Sequence, residues 1–353
     1  MIKQKELQGQ QKYGHDDVFP LFYSTGQDHA GGDLRRVCAW VEANRVALST
    51  QLSAHGAILL RGFGIESDQD FDQLIRAFAW PNFTYADSLS NAVRRNRTER
   101  VFTANEAPAD VSIFLHHEMA QTPIYPSRLF FYCEQAAHAG GATPICRSDI
   151  LYDRLSHKLP NFISMCIAKG VRYSQTMPLH DDLDSGQGRS WGSTLSAQTQ
   201  EEAEAKLTKL GYIWTWQSDQ ALSVTTPLLS AVRELADGRS VFFNQLIAAF
   251  RGWKDARNSG EKSISFGDGS AIQHADMAVA IEFADELSFD IPWQSGDVAT
   301  YYVLVHGFGG GTGDFSLTLS CEGVPPPNDM IANSIDVDEI GYPYTDPNVS
   351  MPF

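Results

Sequence analysis

From residue 111 onward the chain consists of short runs rich in β-branched and aromatic residues, and this pattern constrains the fold more than any other feature. Glycine, proline or aspartate separates one run from the next, as expected when turns join short strands. Many short strands with helices inserted between them predict an antiparallel double sheet instead of a parallel one. The predicted strands cover 128–133, 171–176, 212–217, 240–245, 298–305 and 315–321.

Helices are predicted before and within this β-rich part. Residues 33–54 are predicted to form a helix, because apolar residues recur at nearly helical spacing and Asp33 at the start is a suitable N-cap. A short buried strand is predicted at 57–63, followed by a helix at 67–79. Thr199 and Glu202 form a capping-box pattern at the start of a helix over 199–210, and another helix is predicted at 273–287.

Because the chain contains no repeat, low-complexity tract or linker, we predict one α+β, mainly β, domain over residues 1–353. Its core covers about 50–321, and the segment 322–353, rich in proline, asparagine and aspartate, is expected to form a loosely packed tail. A length of 353 residues with 43% hydrophobic content is sufficient for a substantial core.

Charge and targeting signals exclude several classes of partner. The formal net charge is -16 and no dense lysine or arginine cluster offsets it, so we expect neither nucleic-acid nor membrane partners. The first ten residues are polar and no apolar run reaches the length of a membrane span, which predicts a cytoplasmic protein. The five cysteines are scattered without a C-x-x-C pair, which predicts free thiols instead of a disulfide framework or zinc ribbon.

A candidate metal-binding pair closes an apolar run at 113–119. Residues two apart on a strand point to the same side, so His116 and Glu118 can converge on one ion while His117 points away. By itself the pair is weak evidence, because a histidine at a strand end followed by a solvated glutamate is more common. A neutral imidazole and a carboxylate nevertheless suit Fe(II).

A third candidate ligand follows about 190 residues later. Ser295, Gly296 and Asp297 lead into a β run that ends at His306. A lone histidine at such a position is more often structural, but two histidines and one carboxylate would leave three coordination positions open for a cosubstrate and oxygen. The three residues together therefore predict a non-heme Fe(II) site at His116, Glu118 and His306.

Several segments of the chain resemble the TauD/TfdA-type Fe(II)/2-oxoglutarate dioxygenases, and more closely their SyrP-like branch, which is associated with natural-product biosynthesis. The resemblance covers roughly residues 50–320 and rests on FLHHEM at 114–119, FYC at 131–133, GGATP at 140–144, GRSW at 188–191, FNQ at 243–245, FGDG at 266–269 and SGD at 295–297. It implies a double-stranded β-helix, or jelly roll, with His116, Glu118 and His306 on iron and Thr143 near the 2-oxoglutarate carboxylate.

The resemblance also implies a reaction and a substrate class. Fe(II), 2-oxoglutarate and O2 would oxidise an unactivated C–H bond of a small molecule, either an amino acid or an aminoacyl group on a carrier protein. Because Glu118 fills the position that halogenating relatives leave for halide, hydroxylation, desaturation or cyclisation is expected instead of chlorination. The sequence leaves open whether the chain forms a homo-oligomer.

Three residues are candidates for binding the substrate. Arg189 could bind a substrate carboxylate, Trp191 could form a wall of the pocket, and Asn244 could line it. The alternatives are an arginine in a surface loop, a core tryptophan and an amide that satisfies buried backbone groups, which is the commoner role for asparagine and glutamine.

The chain departs from the family pattern after His306. Relatives carry an arginine nine to fourteen residues further on, which binds the remote carboxylate of 2-oxoglutarate, whereas residues 307–319 contain no arginine or lysine and Phe315 occupies the aligned position. The Asp-Asn pair that relatives carry before this histidine is also replaced, around Thr300 and Tyr301.

Three explanations for the missing arginine remain open. Another cation, such as Arg128, Arg147 or Arg189, supplies the contact; the protein is an iron oxygenase that does not use 2-oxoglutarate; or it is a degenerate, non-catalytic jelly-roll binding protein. We prefer the first, because the predicted iron ligands are all present.

Two hydrolase motifs are incomplete. Residues 188–192 match the G-x-S-x-G pattern of a nucleophile elbow, but residues 181–187 are polar and do not predict the buried strand that must precede it. Gln121 stands where the second histidine of an H-E-x-x-H zinc motif would be.

Overall fold

A computed structural model describes residues 2–14, 17–26, 33–83, 94–104, 112–182 and 185–302, and the backbone of two further strands at 305–308 and 316–322. The helices in these residues are α1 Leu34–His55, α2 Asp68–Phe78, α3 Ser148–Lys158, α4 Pro160–Lys169, α5 Trp191–Leu195, α6 Gln200–Lys209, α7 Leu246–Gly252 and α8 His274–Glu286. The strands are β1 Lys3–Gln4, β2 Gln11–Lys12, β3 Val18–Phe19, β4 Leu21–Ser24, β5 Ala57–Arg61, β6 Phe102–Thr103, β7 Ile113–His117, β8 Arg128–Gln135, β9 Thr143–Cys146, β10 Val171–Met177, β11 Ile213–Trp216, β12 Leu222–Thr225, β13 Arg233–Glu234, β14 Ser240–Val241, β15 Ile264–Phe266, β16 Phe289–Ile291, β17 Val298–Tyr302, β18 Val305–Phe308 and β19 Ser316–Glu322.

Two sheets form the centre of the molecule. The larger sheet has the strand order β1-β4-β5-β17-β8-β19-β6, in which β4 and β5 run parallel and the other described pairs run antiparallel. The smaller sheet has the antiparallel order β16-β9-β18-β7. Phe131 of the larger sheet and Ile145 and Ile291 of the smaller one belong to the same buried cluster, so both sheets contribute to one core.

Helices cover the outer surfaces of these sheets, and a separate sheet lies beside them. Phe130 of β8 packs against Phe78 of α2 and against Trp80, so the alternate residues of β8 face the helices. A second buried cluster contains residues of α3, α4, α7 and α8, and a third joins α5 and α6 to the sheet β11-β12-β10-β15. Within the described residues, every helix is too short or too polar to traverse a lipid bilayer.

Local capping signals place the predicted helices correctly. Asp33 accepts a hydrogen bond from the backbone N–H of Arg35 at 3.0 Å, and Gly56, with a φ of 76°, ends α1 in the left-handed region that glycine tolerates. Thr199 accepts from the backbone N–H of Glu202 at 3.3 Å at the start of α6. The predictions of α1 and α6 are thereby confirmed, and α2 and α8 lie within the ranges predicted for them.

A buried ion pair attaches the larger sheet to the segment that precedes β17. Both guanidinium Nε and Nη2 of Arg61 donate to the Asp297 carboxylate, at 2.7–3.1 Å, and Asp297 is fully buried. Burial raises the pKa of the Asp297 carboxyl, and the Arg61 charge acts in the opposite direction. The Ser295–Gly296–Asp297 motif is therefore explained by this structural contact.

Two predicted strands are wrong in part. The run at 298–305 is divided, because β17 ends at Tyr302 in the larger sheet and β18 begins at Val305 in the smaller one. The run at 240–245 forms a strand only at Ser240–Val241, and the unpredicted helix α7 begins directly after Gln245. A short apolar run fits a strand or a buried helix equally well, so periodicity alone could not distinguish them. The predicted tail after residue 322 and Phe315 lie outside the described residues.

The described cysteines are free thiols, as predicted, namely Cys38, Cys133, Cys146 and Cys166. Burial raises the pKa of Cys133 and of Cys166 to about 12, so these thiols are poor nucleophiles at neutral pH.

Candidate metal site

Strand β7 directs two consecutive histidines to opposite faces of the smaller sheet. His117 is buried, with Nδ1 3.0 Å from the carbonyl oxygen of Asn244 and Nε2 2.9 Å from the Ser148 hydroxyl. His116 faces the other way, and its Nδ1 lies 2.7 Å from the carbonyl oxygen of Phe114. A proton on Nδ1 leaves the lone pair of His116 on Nε2, which is the tautomer that metal binding through Nε2 requires.

Glu118 lies in the turn that follows β7, with its carboxylate beside His116. Its Oε2 is 3.8 Å from His116 Nε2, and the side chain is 8% exposed. The next residue, Met119, has a φ of 57°, a left-handed conformation that is uncommon for a residue with a side chain. The backbone N–H of Thr122 donates to the Met119 carbonyl at 2.9 Å and closes the turn. Strain of this kind concentrates at functional sites.

Strand β18 brings position 306 next to the pair. His306 is directly opposite His116 on β7 and opposite Ile145 on β9. Directly opposite residues of antiparallel strands lie on the same face with Cβ atoms about 4.5–5.5 Å apart. The His306 side chain lies outside the described residues. Among the side chains that are described, no three His, Cys, Asp or Glu residues form a metal-binding group.

The face that carries His116 is the inner face of the smaller sheet. Ile145, on this face, is fully buried in the core shared with the larger sheet. Thr143 lies two residues before Ile145 on β9 and therefore on the same face. It is buried, and its hydroxyl oxygen accepts from Trp293 Nε1 at 2.8 Å, which leaves the hydroxyl proton for another acceptor.

A buried hydroxyl group faces this interior from the larger sheet. Tyr301 of β17 packs edge-on against Phe131, which faces away from the helices because Phe130 faces them. The residue is 1% exposed, its hydroxyl has no hydrogen-bond partner within the part of the chain that the structure describes, and burial raises its pKa well above the usual value. An unsatisfied buried donor costs about 1–3 kcal/mol. The imidazole of His116 and the carboxylate of Glu118 are suitable ligands for Fe(II). The Tyr301 hydroxyl could donate a hydrogen bond to an oxygen atom of a further ligand of that metal.

Sequence reasoning missed Arg94, which contacts the candidate ligand directly. Its Nη2 lies 3.1 Å from Glu118 Oε1, and the two side chains are only 11% and 8% exposed. Arg94 precedes Glu118 by 24 residues and is outside any predicted helix or strand, so no spacing rule connects the two.

Arg189 is one of the three cations considered for the missing arginine, and its charge interacts with that of Arg94. Burial lowers the pKa of Arg189, the positive charge of Arg94 acts in the same direction, and Asp181 opposes both. Arg128 instead stacks over Trp80 at 4.4 Å, on the helix side of the larger sheet. Arg147 is paired with aspartates at positions 17 and 149.

The two other predicted substrate residues have structural partners. Trp191 is buried and packs edge-on against Trp216 at 5.2 Å. The Asn244 amide donates to the carbonyl of Ala231 at 2.9 Å and accepts from the backbone N–H of Leu246 at 3.0 Å. These contacts favour the alternative roles, in which Trp191 packs in the core and the Asn244 amide forms hydrogen bonds with buried backbone groups.

The nucleophile-elbow reading is contradicted by the role of the serine in G-x-S-x-G. Ser190 is the N-cap of α5 and accepts from the backbone N–H of Ser193 at 3.3 Å. No strand precedes it among the described residues between 178 and 189.

Comparisons with known proteins agree on one family. The family model described as "Taurine catabolism dioxygenase TauD, TfdA family" matches residues 17–301. A clavaminate synthase-like protein of Arabidopsis thaliana is 36% identical over 73% of this chain and 78% of its own length. The dapdiamide synthesis protein DdaC of Enterobacter agglomerans is 30% identical over 70% of this chain and 75% of its own.

A solved structure shares the overall fold. The PvcB protein from Pseudomonas aeruginosa superposes with a TM-score of 0.50 at 13% identity, over 91% of each chain. The family match ends at residue 301, so it includes His116 and Glu118 but not His306.

Proposed function

The chain belongs to the TauD/TfdA family of dioxygenases, whose members depend on Fe(II), 2-oxoglutarate and O2, and we propose that His116, Glu118 and His306 hold the iron in this member. The observation that carries the proposal is the strand register that sets position 306 opposite His116, whose imidazole lies 3.8 Å from the Glu118 carboxylate. Two imidazoles and one carboxylate on one face are the donor set of non-heme Fe(II) oxygenases.

The protein's own groups would prepare the site for this chemistry. When bound, Fe(II) supplies the oxidation of the substrate together with 2-oxoglutarate and O2. The Phe114 carbonyl keeps the proton of His116 on Nδ1, and Arg94 holds one oxygen of Glu118. The hydroxyls of Thr143 and Tyr301 can each donate to a ligand oxygen. The surrounding core excludes water, which strengthens these contacts.

We infer that the larger and smaller sheets are the two halves of a double-stranded β-helix. Both are mainly antiparallel, both contribute to one core, and the chain crosses from the larger to the smaller between β17 and β18. The candidate metal ligands lie on the inner face of the smaller half.

We propose an amino acid, or an aminoacyl group on a carrier protein, as the substrate, oxidised at an unactivated C–H bond. The relative named for dapdiamide synthesis supports a biosynthetic role. The carboxylate of Glu118 favours hydroxylation, desaturation or cyclisation over halogenation. Arg189 remains the candidate for binding a substrate carboxylate.

Cosubstrate use is tested by anaerobic titration of 2-oxoglutarate into the Fe(II) protein. We expect a visible metal-to-ligand charge-transfer band, because a 2-oxo acid that chelates Fe(II) produces one. The same titration with the Zn(II) protein should give no band. If millimolar 2-oxoglutarate gives no band with Fe(II), the second candidate is favoured, an iron oxygenase without 2-oxoglutarate. The lack of arginine and lysine at 307–319 is the observation behind that candidate.

A further inference from the structure

Strand β7 lies at the edge of the smaller sheet, so the outward backbone groups of its last residue, His117, have no neighbouring strand among those that the structure describes. The segment 243–245 fills this position. The backbone N–H of His117 donates to the Asn244 carbonyl at 3.4 Å, and the His117 carbonyl accepts from the side-chain amide of Gln245 at 2.9 Å. Both contacts act on the backbone directly before Glu118, the proposed carboxylate ligand.

Glu118 occupies the second position of a tight turn, and the third position of this turn is strained. The turn runs from His117 to Ala120, whose backbone N–H donates to the His117 carbonyl at 3.3 Å, and Met119 has a φ of 57°. A positive φ at the third position is typical of a type II turn, which favours glycine or asparagine there. Because the methionine side chain opposes this conformation, contacts from outside the turn are needed to hold it.

Gln245 is anchored in the core. It is 7% exposed, its backbone N–H donates to the Tyr173 hydroxyl at 2.8 Å, and α7 begins directly after it. Tyr173 is itself buried and packs against Trp253 at a ring-centroid distance of 5.8 Å within the second buried cluster. The amide of Gln245 therefore connects the turn to a well-packed part of the molecule.

We propose that Gln245 is a positioning residue for Glu118, an inference that rests on the function proposed above. By donating to the His117 carbonyl, the amide fixes the peptide group that joins His117 to Glu118. This keeps Glu118 Oε2 directed toward His116 Nε2, 3.8 Å away. Arg94 contacts the carboxylate itself, whereas Gln245 acts on the backbone that carries it. Groups that orient a metal ligand raise the affinity of the site for its metal.

The test is the Zn(II) affinity of the metal-free protein, measured by calorimetry, because Zn(II) binds imidazole and carboxylate groups without redox chemistry. Gln245→Met keeps nearly the shape of glutamine but has no donor. We expect its Zn(II) affinity to fall about 10-fold through the loss of this orienting hydrogen bond. Gln245→Asn keeps an amide that is one methylene too short to reach the carbonyl. It should show the same loss, and it replaces Gln245→Met if that variant does not fold.

A double-mutant cycle with Glu118→Ala separates positioning from a structural role. If Gln245 acts through Glu118, Gln245→Met has no further effect on Zn(II) affinity in the Glu118→Ala protein, where two imidazoles still bind Zn(II) more weakly. A role limited to stability would lower the urea midpoint and leave the Zn(II) affinity of the folded protein unchanged. A general disturbance of the site would lower the affinity equally in both backgrounds. Either of these two results would overturn the proposal.

The matched control is Asn258→Leu, because the Asn258 amide also donates to a strand carbonyl, that of Thr176 on β10, at 3.0 Å. This strand belongs to the separate sheet beside the two central ones. The Zn(II) affinity of the control should equal that of wild type. Failure of the proposed function would look different: His116→Ala would then leave the Zn(II) affinity unchanged, since the metal would not bind at the proposed site.

Discussion

His116→Ala is expected to fold normally and to lose Fe(II) binding and turnover. The His116 side chain is partly exposed, and its polar contacts include a carbonyl of its own strand and Glu118, so its removal costs little packing. It would, however, remove one of three metal ligands, and a metal supplies several kcal/mol of transition-state stabilisation. We expect kcat/KM to fall about 1,000-fold or more.

The measurement is iron per chain by elemental analysis, together with O2 consumption. The matched control is His157→Ala, on the exposed side of α3, with a side chain 78% exposed. It should retain wild-type iron and turnover. Wild-type iron content in His116→Ala would remove this residue from the proposed site.

His117→Ala is expected to have the opposite phenotype, a large loss of stability. The imidazole is 1% exposed, packs on Phe243 at a centroid distance of 4.7 Å and bridges Asn244 to Ser148. Truncation would leave a cavity and unsatisfied polar groups, together costing about 3–5 kcal/mol. Urea unfolding followed by circular dichroism should show a clearly lower midpoint than for His116→Ala. Equal midpoints for the two variants would contradict the opposite orientations of these neighbouring side chains.

The parts of the fold that sequence could predict are those with a local cause. Asp33 and Thr199 are N-caps, and their hydrogen bonds to nearby backbone N–H groups mark where α1 and α6 begin. The alternation of a strand was enough to separate His116 from His117. By contrast, the division of the run at 298–305 depends on which strands are adjacent: Val298 pairs with β5 and β8, and Val305 with β7 and β9. That information is not contained in the run itself.

The same distinction applies to the candidate site. His116 and Glu118 are close in sequence and share a strand and its turn, so their convergence was predictable. Arg94 reaches Glu118 through the tertiary fold alone, from a segment without periodicity. The contacts of Trp191 and Asn244 support structural roles, packing in the core for the tryptophan and hydrogen bonding to buried backbone groups for the asparagine. These are the common roles of such residues.

His306 is the residue on which the proposed metal site depends most, because strand register supports it while the family match ends five residues earlier. The direct measurement is the iron content of anaerobically reconstituted His306→Ala beside wild type. We predict one Fe(II) per chain in wild type and none retained in the variant after gel filtration. A folded His306→Ala that keeps one Fe(II) per chain would contradict the proposed site.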